Sequence, residues 1–201
     1  MDFYRKYGKR GLDILIALIG LIGTFPIWLP IALLIKWEDG GEIFFKQIRI
    51  GKDGKKFKIC KFRTMVMDAE KEGKQITLKK DRRVTKIGKF LRKSKLDELP
   101  QLINVLKGEM SIVGPRPEVP KYVQLFEKEF KDILKIKPGI TDIASITFID
   151  ESELLTGPNP EQVYLNQILP KKIQLAKEYL DQISLLTDLK IIFQTILKIV
   201  R

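Results

Sequence analysis

Histidine is absent from all 201 residues. That removes the commonest side-chain general base and the commonest zinc ligand together. A lone cysteine, Cys60, excludes an intramolecular disulfide and a cysteine metal cluster, and it suits a reducing compartment. Internal repeats and low-complexity linkers are missing as well, which favours one domain plus an anchor over an array. No small-residue cleavage site follows the apolar N-terminal run, where Lys36, Trp37, Glu38 and Asp39 stand instead, so a cleaved signal peptide is not expected.

Negative charge is scarce where positive charge is dense. The net charge is +12, and residues 46–95 carry 19 Lys or Arg against 5 Asp or Glu, so the remainder is close to neutral. Such a block suits nucleic acid, anionic lipid or a phosphate-bearing substrate, and charge does not choose among them. A membrane-tethered basic nucleic-acid-binding protein without catalysis is therefore the alternative to an enzyme, although no recognisable nucleic-acid motif accompanies the block. With 44% apolar and 31% charged residues, the chain has the means to build a core.

The longest uncharged run is Ile14 to Ile35, 22 residues. A straight helix of that length covers roughly 33 Å, enough for a bilayer. Gly23, Pro26 and Pro30 interrupt it, and each proline removes a backbone hydrogen bond. Basic residues flank both ends: Arg5, Lys6, Lys9 and Arg10 before, then Lys46, Arg49, Lys52, Lys55 and Lys56 after. The positive-inside bias then holds both ends on the cytoplasmic side. Two half-helices of about 11 residues reach only about 17 Å each, so a hairpin entering and leaving by one leaflet is expected over 1–40. A kinked spanning helix is the other option.

Beyond it, Ile43 to Ile50 and Lys55 to Phe62 loosely alternate apolar and polar residues around Gly51-Lys52-Asp53-Gly54, a β-hairpin with Asp53-Gly54 in positive φ. A polar stretch, Asp68 to Val84, reads as loop with some helix. Lys86 to Lys93 reads as a short helix. Residues 96–107 form the clearest amphipathic helix, with Leu99, Leu102, Ile103 and Leu106 at i, i+3, i+4 and i+7 and Gly108 ending it. Pro120 to Lys135 is another helix, Thr141 to Pro160 is ambiguous, and 161–200 is helical in two pieces. The last of these, from Ser184, suits either an anionic membrane surface or the core. The expected fold is α+β: a mostly helical monotopic membrane protein with a re-entrant N-terminal helix hairpin and a small antiparallel β-hairpin, the second unit spanning 41–201.

Three groups of residues invite chemistry. Asp97 and Glu98 are adjacent carboxylates at a helix start, and Asp97 falls on one face with Gln101 and Asn104. They read as a nucleophile with a metal ligand or base beside it. They equally read as first-turn acids favouring the helix dipole, since Ser94-Lys95-Leu96-Asp97 fits a loose capping box. In Val113-Gly114-Pro115-Arg116-Pro117, two prolines stiffen the backbone around an arginine suited to bidentate phosphate contact, or around a merely solvated one. Lys61-Phe62-Arg63-Thr64-Met65 sets two cations around an aromatic, as a phosphate site or an ordinary strand end.

Taken together, these stretches resemble the bacterial sugar transferase family, the small monotopic phosphoglycosyl transferases. The resemblance runs from Tyr4 to about Lys198. It is carried by Gln47-Ile48-Arg49-Ile50-Gly51, the 61–65 stretch, Arg92 with Leu96-Asp97-Glu98-Leu99-Pro100-Gln101-Leu102, Asn104 to Ser111, the 113–117 stretch, and Pro138-Gly139-Ile140-Thr141. Their order and spacing together are specific. The resemblance implies a catalytic domain on the cytoplasmic face of the bacterial inner membrane, acting in two steps. Asp97 attacks the β-phosphorus of a UDP-sugar and expels UMP; the covalent sugar-phosphate then passes to polyprenyl phosphate. Glu98 would bind Mg²⁺ and help to activate the acceptor, with Lys61, Arg63, Arg92, Gln101 and Arg116 as substrate contacts. The partners implied are UDP-sugar, polyprenyl phosphate, membrane lipid and a second copy in a homodimer, with no nucleic acid. Two departures stand out: many members have Ser-Pro at the helix break where this chain has Phe25-Pro26, and Asp142 replaces the glycine that often follows Pro-Gly-Ile-Thr.

Overall fold

The computed structural model describes residues 3–69, 76–78, 81–148, 151–155 and 158–200. Parts of the polar stretch expected over 68–84 and of the ambiguous 141–160 segment lie outside these residues. The elements in order are helix α1 (Lys9–Asp39), strands β1 (Phe44–Ile50) and β2 (Lys56–Phe62), helices α2 (Lys86–Lys93) and α3 (Gln101–Lys107), strand β3 (Ser111–Val113), helices α4 (Pro120–Leu125) and α5 (Glu127–Ile133), strand β4 (Gly139–Thr141), and helices α6 (Ile143–Thr147), α7 (Glu151–Leu154), α8 (Pro160–Val163), α9 (Leu169–Gln182) and α10 (Leu185–Val200). The α+β class and the mostly helical content agree with the sequence.

The β-hairpin forms as expected. β1 and β2 pair antiparallel from Phe44↔Phe62 to Ile50↔Lys56, and Asp53 and Gly54 take φ of 57° and 73° at the turn. A second, unforeseen pair joins β3 and β4 in parallel. Its crossing explains two glycines of the motifs. A Cβ on Gly114 would lie 2.7 Å from the Lys137 carbonyl oxygen, and one on Gly139 would lie 2.1 Å from the Gly114 nitrogen. Only backbone fits on both sides.

Residues 4–39 are helical throughout, and by length and apolar composition the helix suffices to cross a membrane. The sequence reading expects two half-helices, whereas the backbone stays helical through Pro26 and Pro30. Proline removes a donor, yet its fixed φ remains compatible with a helix. Thr24 Oγ1 donates to the Gly20 carbonyl at 2.6 Å, a hydroxyl back-bond just before Pro26.

One stripe of α1 faces the domain along its whole length. Asp13, Ala17, Ile31 and Ile35 are buried, while Ile19, Ile22, Phe25, Leu29 and Leu33 on the other side are exposed. Both ends are tied down. Arg10 donates to the Val105 and Leu106 carbonyls at 2.7 and 3.0 Å, capping the C-terminus of α3. Asp13 accepts from the Ile112 N–H at 2.8 Å and from Ser111 Oγ at 2.9 Å. At the far end Glu38 accepts from the N–H groups of Lys86 and Ile87, capping α2, and Asp39 pairs with Arg63.

Two expected helices are divided. The 96–107 helix becomes a 3-10 turn, Leu96–Glu98, followed by α3. The capping box does not form, because Lys95 takes φ 56° and Ser94 Oγ turns back to the Phe90 carbonyl at 2.9 Å. The 120–135 helix breaks at Phe126, whose φ of −122° and ψ of 39° are not helical.

Candidate active site

A cleft of about 1130 Å³ opens between the β-hairpin, the 96–98 turn, the 114–118 loop and α9. Lys61, Arg63, Arg92, Asp97, Glu98 and Arg116, expected from sequence as site residues, all line it. Gln101 does not. It has no exposed surface and its side-chain amide has no hydrogen-bond partner, so it lies beneath the cleft with nothing open to a ligand.

The tight turn aims the two carboxylates differently. Glu98 is gripped by cations: Lys61 Nζ lies 2.9 Å from Oε1, and Arg116 reaches Oε1 at 2.5 Å and Oε2 at 3.2 Å. This fork on a carboxylate is the geometry that guanidinium favours. Asp97 is 7% exposed, and its Oδ1 is buried without a hydrogen-bond partner.

Their protonation is pulled apart. Burial pushes the Asp97 carboxyl above the ordinary aspartate range; the Lys61 cation opposes that push and the Glu98 charge adds to it. Burial would raise Glu98 too, yet Arg116 and Lys61 outweigh it and hold that carboxyl well below the usual range. Burial lowers Lys61, with Glu98 restoring part of the loss, while Glu98 raises Arg116. The two adjacent carboxyls therefore sit in opposite electrostatic environments.

The remaining contacts position these groups. Arg92 Nε donates to Thr64 Oγ1 at 2.8 Å, and the Asp97 charge offsets part of the lowering that burial imposes on its guanidinium. Arg63 is bound to Asp39 at the foot of α1, and its Nε and Nη1 are buried without partners. Asn104, grouped with Asp97 by helical spacing, is a staple instead. It accepts from Cys60 N–H at 3.0 Å and donates to the Lys58 carbonyl at 2.9 Å, tying α3 to β2.

Two cleft residues, Asp142 and Arg49, are not among the site residues expected from sequence. Asp142 accepts the Arg116 backbone N–H at 3.1 Å with one oxygen and the Ser145 N–H at 2.6 Å with the other, so it caps α6 and clamps the 114–118 loop at once. Arg49 donates to the Pro117 carbonyl at 3.1 Å and sits 3.7 Å from Glu118, which accepts from Tyr164 Oη at 2.7 Å. The signal for Arg49 is its strand's inverted alternation, with Gln47 and Arg49 turned inward and Ile48 46% exposed.

Among the described residues, no group of three or more Asp, Glu, Cys or His is placed to hold a metal alone. Magnesium is commonly held by one or two carboxylates with substrate phosphates supplying further oxygens. The unpartnered Asp97 Oδ1 beside Glu98 fits that pattern. The site suits an ion shared with a bound diphosphate.

The family model for the bacterial sugar transferases matches residues 4–201. The chain is 36% identical over 203 residues to the exopolysaccharide production protein ExoY of Sinorhizobium fredii, covering 94% of this chain and 83% of that protein. It is 37% identical over 196 residues to the UDP-N-acetylgalactosamine-undecaprenyl-phosphate N-acetylgalactosaminephosphotransferase of Aeromonas hydrophila, covering 94% of this chain and 42% of the relative. It is 40% identical over 194 residues to the UDP-glucose:undecaprenyl-phosphate glucose-1-phosphate transferase of Escherichia coli, with 94% and 39% covered. Against the last two, the chain spans about two fifths of the relative's length.

Proposed function

The chain belongs to the bacterial sugar transferase family, and from that premise we propose that it moves a sugar-1-phosphate from a UDP-sugar to polyprenyl phosphate at a membrane surface. Relatives named for N-acetylgalactosamine-phosphate and glucose-phosphate transfer to undecaprenyl phosphate support a hexose or N-acetylhexosamine donor. The observation that carries the reading is the buried, unpartnered Asp97 oxygen beside a Glu98 held by Lys61 and Arg116.

Asp97 is the nucleophile. Its free oxygen attacks the sugar-bearing phosphorus, forming a carboxyl–phosphorus bond as the bond to the UMP oxygen breaks. UMP leaves with that electron pair. An oxygen of polyprenyl phosphate then attacks the same phosphorus, giving the polyprenyl-diphosphate sugar and freeing the Asp97 carboxylate. Repulsion between carboxylate and diphosphate is about 1 kcal/mol per charge pair at 4 Å in water and larger in a drier cleft. Arg116, Arg92 and Lys61 counter it as fixed positive charges. Glu98 sets the positions of Lys61 and Arg116. With Asp97 and the donor's own phosphates, it would also hold Mg²⁺, which when bound supplies further neutralisation of phosphate charge.

The membrane arrangement proposed is monotopic, with α1 re-entrant and the domain at 41–201 on the cytoplasmic face. It is supported by the ties at both ends of α1, Arg10 and Asp13 at one and Glu38 and Asp39 at the other, all to the same domain. A spanning helix would separate those ends by a bilayer. The exposed apolar side of α1 supports contact with lipid.

The test is UMP release by purified protein with Mg²⁺, polyprenyl phosphate and a panel of UDP-sugars. One or more sugars should give acceptor-dependent turnover. Silence across the panel with folded protein would refute the reading.

A further inference from the structure

The two sides of the cleft differ in charge balance. The charged neighbours of Asp97 are Lys61, Glu98, Arg92 and Lys95. Those of Arg49 are Glu118, Arg116 and Glu98, with the Tyr164 phenol beside them. Glu98 is common to both groups, so the Glu98–Arg116 pair stands between the sides. On the Arg49 side the cations are matched. Arg49 lies against Glu118, and Lys172 pairs with Glu151 while its ammonium lies 5.0 Å from the centre of the Tyr164 ring. Asp142 adds a further acid to this wall. On the Asp97 side Lys89, Arg92, Lys93 and Lys95 line the cleft together with Asp81, which Arg83 already holds.

A UDP-sugar is charged unevenly: the half that leaves as UMP is anionic, whereas the sugar ring of a hexose or N-acetylhexosamine is neutral. Fixed cations favour the anionic half, and a self-paired, acid-bearing wall disfavours it. The Arg49 side also holds two polar atoms that lack a partner. Arg49 Nε and Ser145 Oγ are buried without a hydrogen bond, and both residues line the cleft. The other Arg49 nitrogens are engaged, Nη1 on the Pro117 carbonyl and Nη2 on Gln47 Oε1 at 2.6 Å. Buried groups left unmatched in this way are costly until a ligand completes them. An N–H donor and a hydroxyl that gives or accepts suit the hydroxyls of a sugar. The two tyrosines of this wall, Tyr122 and Tyr164, are buried against each other at 5.2 Å between ring centres and offer no open face to a base.

We propose that the donor lies with UMP toward α2 and its sugar ring against the Arg49 side, where Arg49 Nε and Ser145 Oγ each bond one ring hydroxyl and so select the sugar. The proposal rests on the transferase reading and adds the direction of the donor and two specificity residues. Asp142 then acts on both halves of the site, since one of its oxygens holds the Arg116 backbone and the other the Ser145 backbone.

The experiment measures affinity on the full chain in phospholipid nanodiscs with Mg²⁺, in an Asp97→Asn background so that no adduct forms. The probes are UDP-glucose or UDP-N-acetylgalactosamine, whichever binds tighter, its monodeoxy analogues, and UMP alone. Ser145→Ala deletes the hydroxyl without breaking a bond that it makes in the fold, and Arg49→Lys keeps the charge beside Glu118 while removing Nε. Each should weaken binding of the intact UDP-sugar roughly tenfold and leave UMP binding unchanged. In Ser145→Ala one deoxy analogue should bind as well as the intact sugar, because the missing hydroxyl and the missing serine belong to one contact. A different analogue should do so in Arg49→Lys. Losses that add at every ring position overturn the proposal, and so does a fall in UMP affinity equal to that for the UDP-sugar, which would put the nucleotide here. If Arg49→Lys does not fold, Ser145→Ala decides. The expected pattern without acceptor-dependent UMP release by the native protein would sink the transferase reading and keep the sugar side. Folded protein that binds neither UDP-sugar would sink both.

Discussion

At Asp97 the physics of a single carboxylate makes three demands. Its folded pKa is raised chiefly by burial, so the fold favours the protonated form. Stability linked to it is fully present below the unfolded aspartate value and is lost as pH rises through the raised one. At neutral pH the ionised group therefore opposes folding, and Asp97→Asn should melt no lower than the native protein while losing turnover. A clear drop in Tm would show that Asp97 holds the fold together. As the proposed nucleophile Asp97 must be ionised, so the rate of UMP release should fall on acidification with a midpoint above the ordinary aspartate range, read from a pH–rate profile. Glu98 has the opposite sign. Its depressed pKa stabilises the fold above the unfolded glutamate value, and that contribution goes as pH falls through the folded one. Glu98→Gln strands Lys61 and Arg116 in the cleft and should cost about 2 kcal/mol in denaturant melts. Asp142→Gly releases the Arg116 backbone N–H. The donor KM should rise several-fold and the melting temperature fall by a few degrees, with Asp142→Asn, which keeps one acceptor oxygen, in between. Of these residues, Asp97, Glu98 and Arg116 were legible because their motifs are compact. Asp142 was visible only as a departure, since its hydrogen bond spans 26 positions.

Among the elements, legibility followed how local the causes were. The β-hairpin emerged with its turn because alternation and Asp53-Gly54 specify register within a dozen residues. Helix α2 appeared with both ends correct. The 96–107 helix was misjudged at its start: the leucine stripe is genuine, but packing of the turn against β2 overrode a capping pattern that carries little energy. The β3–β4 pair was invisible, being two three-residue strands joined in parallel across 25 intervening residues. Helix α1 was recognised as apolar, yet its ties were not, because basic flanks read as membrane signals also cap α3 and pair with Asp188. Those ties make a topological prediction. Single cysteines before Arg10 and after Gly40, in a Cys60→Ser background, should both label from the cytoplasm in intact cells. Labelling from opposite sides would replace the re-entrant helix with a spanning one.

The whole molecule joins an apolar helix face to a cationic cleft. The two meet where Arg63, which lines the cleft, pairs with Asp39 at the end of α1. The basic block that composition alone left unassigned is partly turned inward, with Arg49, Lys61, Arg63 and Arg92 lining the cleft. Under the proposed mechanism, the sugar-phosphate would wait on Asp97 while UMP leaves and the lipid phosphate arrives. The most direct measurement is intact-protein mass after incubation with Mg²⁺ and a competent UDP-sugar, with acceptor withheld. Native protein should gain one sugar-phosphate and release it when polyprenyl phosphate is added, and Asp97→Asn should gain nothing. An adduct on the Asn variant, or acceptor-dependent turnover with no adduct at any time, would contradict a phosphosugar carried on Asp97.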